Sequence, residues 1–162
     1  MARGNNIVVQ PYPHGQLVEG IIGAGLTPKP GTIMQMDVSV PLQGGRFTWV
    51  LYSRSADGDR PAGPLIVLDY DKLQGRIATT AYNAGERAIG YIPNEGDELN
   101  CLVADIAGTG DTHTKGEVMI PKTGTGKLIA TTGTPQTGPF LLLETITAPV
   151  ADTLAWVRYT GY

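Results

Sequence analysis

Cys101 and the two histidines, His14 and His113, are the residues best suited to nucleophilic chemistry in this chain: a thiol and a base to activate it. Their settings argue against that use. Cys101 lies in Leu99-Asn100-Cys101-Leu102-Val103, where strand alternation groups it with Leu99 and Val103 on an apolar face. Free cysteine is among the most buried residue types, so a core thiol is expected. His113 falls in the polar stretch 109–114 and reads as a solvated or interface loop residue. No two histidines stand at metal-ligand spacing, so no metal is expected.

The acid pairs Asp57-Gly58-Asp59 and Asp69-Tyr70-Asp71 resemble the start of a calcium loop, but the sharp-turn glycine and the bidentate glutamate that complete one do not follow. Thr123-Gly124-Thr125-Gly126-Lys127-Leu128 lacks the upstream glycine of a phosphate loop, and Leu128 stands where magnesium needs a hydroxyl. A glycine-rich hairpin turn is the expectation there. The three serines include none in a nucleophile elbow. These residues assemble into no catalytic constellation, so the chain is expected to be a non-enzyme that carries no cofactor.

What must position these residues is strand, not helix. With 22 glycines and 12 prolines among 162 residues, no window sustains a 3.6-residue apolar period, and the runs between breakers favour Val, Ile, Thr and Tyr. Residues 1–16 read as an extended arm held near polyproline geometry by Pro11-Tyr12-Pro13. Residues 17–162 read as a single β domain built of hairpins. In 33–40, Met34, Met36, Val38 and Val40 share one face; a Gly44-Gly45 turn then leads to Phe47, Trp49 and Leu51, which alternate with Thr48, Val50 and Tyr52. The apolar run 65–68 reads as a strand buried on both faces. A second hairpin is expected between 86–92 and 98–104 across the turn 93–97, and a third between 117–120 and 127–131. Strands at 140–146 and 154–159 close the chain. Trp49 and Trp156 are both expected in the core.

Composition narrows the function classes. The net charge is −3, only 17% of residues are charged and the 12 basic residues are scattered, so no nucleic-acid partner is expected. The N-terminus lacks a signal-peptide core and no apolar run reaches membrane-spanning length, so neither secretion nor a membrane partner is expected. One cysteine precludes an internal disulfide and suits synthesis in a reducing host cytoplasm.

The order of several short phrases resembles the capsid cement, or decoration, proteins of tailed phages. Ala84-Gly85-Glu86 is followed by Gly96-Asp97-Glu98-Leu99-Asn100 and Leu102-Val103-Ala104, then by Thr114-Lys115-Gly116-Glu117-Val118 and Gly126-Lys127-Leu128. A Leu/Glu strand (141–144) and a Leu-x-x-Val-Arg strand (154–158) come last, and Pro30-Gly31-Thr32-Ile33-Met34 is similar to the family's opening strand. The resemblance covers 84–160 and, loosely, 26–36; the segment 37–82 departs from the pattern. It implies a small β-barrel or β-tulip domain, commonly trimeric, on the outer capsid surface of the virion. There such a protein binds the major capsid protein and stabilises the expanded head. Within the arm, Ile7, Val8, Val9 and Tyr12 are the residues expected to touch the capsid, by strand addition to a neighbouring subunit. The competing expectations are a tail or fibre module and a small-ligand-binding β-barrel.

Overall fold

The computed structural model describes residues 7–10, 16–53, 64–71, 77–104, 112–131, 138–147, 149 and 153–161. Among them there are strands and no helix: β1 (Val8–Gln10), β2 (Gln16–Ile22), β3 (Ile33–Asp37), β4 (Thr48–Leu51), β5 (Leu65–Leu68), β6 (Arg87–Ile92) and β7 (Glu98–Leu102), then β8 (Thr112–His113), β9 (Val118–Pro121), β10 (Leu128–Ala130), β11 (Phe140–Leu142), β12 (Ile146–Thr147) and β13 (Leu154–Tyr159). The fold class is all-β, as its breaker-rich sequence implies. Five strands close a barrel in the order β2-β4-β3-β5-β6. Six more form a sheet, β1-β7-β13-β11-β9-β10, and β12 pairs with β8 in a ribbon.

The β3–β4 hairpin forms where the glycine pair predicts it. Gly44 and Gly45 have φ of 58° and 78°, and flanking Gln43 and Arg46 exchange backbone hydrogen bonds of 2.9 and 3.1 Å. Two consecutive positive φ angles give a turn whose twist matches the strands it joins. The β3 strand ends earlier than alternation suggests, because the Asp37 carboxylate accepts the Ser39 N–H (2.9 Å) and hydroxyl (2.6 Å). That local turn takes Val38 and Val40 off the ladder.

The expected hairpin between β6 and β7 does not form, although both strands do. In the closed barrel both edges of β6 are taken, one by β2 and the other by β5. The buried Asp97 carboxylate accepts the Tyr91 hydroxyl (2.9 Å) and the Asn94 N–H (2.8 Å), shaping a bend. The chain is then handed to the second sheet, where Gly96 N–H donates to Tyr159 and Tyr159 N–H to Asp97.

The second edge of β7 is completed by three separate segments. Asn100 N–H donates to the Ile7 carbonyl (2.7 Å), Leu102 N–H to Gly31 (2.9 Å) and Ala104 N–H to Leu128 (2.8 Å). Val103 also bridges Leu128 in parallel, so the far edge of the sheet curls back to the chain just past β7.

Two cores share one wall. Trp49 fills the barrel interior with Ile22, Met34, Ile66, Leu68, Tyr82 and Ala88. Room for the indole comes from Gly20 and Gly90: a Cβ on either would collide with its ring, and one at Gly90 also with Ile66. Leu65 and Val67, the alternate residues of β5, face the other way and join Leu99, Cys101, Phe140 and Val157 in the second core. The β5 strand is buried on both faces, as its unbroken apolar run predicts.

Candidate interaction surface

The residues singled out for chemistry are placed by this frame in structural roles, with one surprise. Cys101 is fully buried in β7 opposite Ala155, and burial pushes its thiol well above the ordinary range. His113 is not a solvated loop residue. It is a buried residue of β8, with Nδ1 3.2 Å from Glu117 Oε2 and Nε2 without a partner. The polarity of its neighbours gave no sign of this, since burial comes from β12 pairing across from it. His14 and the Asp57–Asp59 pair lie outside the described residues.

Asp69 Oδ1 accepts the Tyr70 N–H and the Asp69 carbonyl accepts the Tyr82 hydroxyl, while fully buried Asp71 is paired with Arg87 at 3.2 Å. Among the described residues no three of His, Cys, Asp and Glu gather to hold a metal ion. The glycine-rich stretch at 123–126 is the β9–β10 turn, as expected. Trp49 is a core residue, but Trp156 is not. Its neighbours Ala155 and Val157 face the core, and the half-buried Trp156 lies on the other face of β13. There its Nε1–H donates to Glu98, which also accepts from Arg158.

The arm residues divide. Ile7, expected on a neighbouring subunit, instead fills this chain's own core, because an isoleucine beside the exposed edge of β7 gains more from burial there than from solvent. Val8 and Val9 belong to β1, which pairs with β7 of the same chain. Tyr12 lies outside the described residues. Gln10 is the register partner of Glu98 in the sheet, and Gln16 that of Ile92 in the barrel.

The surface with the clearest apolar character was not among the predicted site residues. Leu17, Val38, Leu42 and Phe47 are 68, 66, 53 and 39% exposed. Val38 and Phe47 follow one step beyond the last β3–β4 ladder pair, Asp37 with Thr48. Leu17 precedes by four residues Ile21, which pairs in parallel with Thr48, so Leu17 is level with the hairpin turn. These residues form an apolar rim carried by β2 and the β3–β4 hairpin. In the barrel order β2 and β4 are the two strands that do not neighbour β5, the wall shared with the sheet. Beside the rim, Glu19 bridges Arg46 (3.0 Å) and Arg87 (3.5 Å), exposed pairs that fix side-chain positions more than they stabilise. The one sequence signal for the rim is Leu42 and Phe47, apolar residues flanking a glycine turn.

No protein-family model matches the chain, and no curated protein matches it.

Proposed function

We propose that this chain is a structural virion protein of the cement type, which binds the outer surface of a tailed-phage head and bridges neighbouring major capsid subunits after the shell expands. The order of phrases over 84–160 supports that class. The observation that carries a contact role is the apolar rim of Leu17, Val38, Leu42 and Phe47, on a chain with only 17% charged residues. Clustered exposed apolar side chains mark interaction sites, and interface cores deplete charge. Self-association as a trimer belongs to the same proposal. β1 keeps a part in it: as the terminal strand of its sheet it offers a backbone edge to a capsid strand, with Tyr12 following.

A tail or fibre module would be present in few copies per particle, a cement protein in numbers set by the capsomers. A ligand-binding barrel needs an open interior, and here the Trp49 indole occupies it. The test is co-sedimentation with emptied heads of the encoding phage, before and after expansion. Saturable binding to expanded heads alone is the expected result; failure to bind either form removes the proposal.

A further inference from the structure

We draw no further inference here: the strongest candidate, the half-buried apolar row that Val118, Ile120, Ile129 and Leu141 set on the outer face of the six-stranded sheet, is an unpartnered face, and nothing in the structure shows what covers it.

Discussion

The Ile7 carbonyl accepts the Asn100 N–H at 2.7 Å, and the Ile7 side chain is fully buried in the core that β7 lines. What reads in the sequence as the middle of a free arm is thus a fixed part of the fold, tied to the strand on which the second sheet is organised. Truncating Ile7 to alanine should cost about 2–5 kcal/mol, the range for deleting buried methylenes from a core. Urea unfolding measures this directly. A loss under about 0.5 kcal/mol, the usual scale of surface changes, would mean that Ile7 is not held in the core in solution.

A stronger effect is expected in the barrel. Trp49→Ala should lower stability by about 3–5 kcal/mol, because the surrounding strands cannot collapse onto so large a void. Gly20→Val should also destabilise, for the opposite reason, since its side chain would have to enter the space of the indole. Thermal unfolding of the Gly20→Val/Trp49→Ala pair provides the check. A double variant more stable than Trp49→Ala alone shows that the two sites share one space, whereas strictly additive losses would contradict it.

Alkaline pH should weaken the fold through two groups. Burial raises the Cys101 thiol above its ordinary range; burial first, then the hydrogen bond to and charge of Asp97, raise the Tyr91 hydroxyl. Both hold protons in the folded state that the unfolded chain releases. Their stabilisation is complete below the unfolded values, about 8.5 for a thiol and about 10 for a tyrosine, and is lost as pH rises beyond them. Unfolding free energy measured from neutral pH upward should fall, and Cys101→Ala should flatten the earlier part of that fall. The native thiol should react with a thiol reagent no faster than the protein opens.

Rim substitutions should behave differently from core ones. Phe47→Ser and Leu42→Ser should change stability by no more than about 0.5 kcal/mol, since both side chains are already exposed. They should lower the mass seen by light scattering if the rim joins copies of the chain. A native mass of 17.1 kDa for the unmodified protein at high concentration would remove the trimer from the proposal.

Strand positions were far more legible in the sequence than strand partners. Gly44 and Gly45 specify a turn locally, and the run 65–68 admits no polar face, so both features could be read from neighbouring residues alone. The pairing of β6 is settled instead by barrel closure, which brings Gln16 and Ile92 together from 76 positions apart. The apolar run from Phe140 likewise breaks after Leu142, where Leu143 N–H donates to Trp156 and the Glu144 carboxylate accepts the Trp156 N–H. Burial of Cys101 followed from alternation. Burial of His113 did not, because it depends on a ribbon partner 33 residues away. The rim escaped notice for a similar reason: a local turn at Asp37 exposes Val38, and only the parallel pairing of β2 with β4 brings Leu17 to the same end of the barrel.

The binding isotherm of the protein on emptied, expanded heads of the encoding phage tests the central claim most directly, run beside a Leu17→Ser/Phe47→Ser variant shown to be folded. The intact protein should saturate the heads at a copy number set by the capsomers, and the variant should bind at least tenfold more weakly, a loss of about 1.4 kcal/mol. An intact protein that leaves expanded heads undecorated would contradict the assignment, and a variant that binds as tightly as the intact chain would take the rim out of the contact.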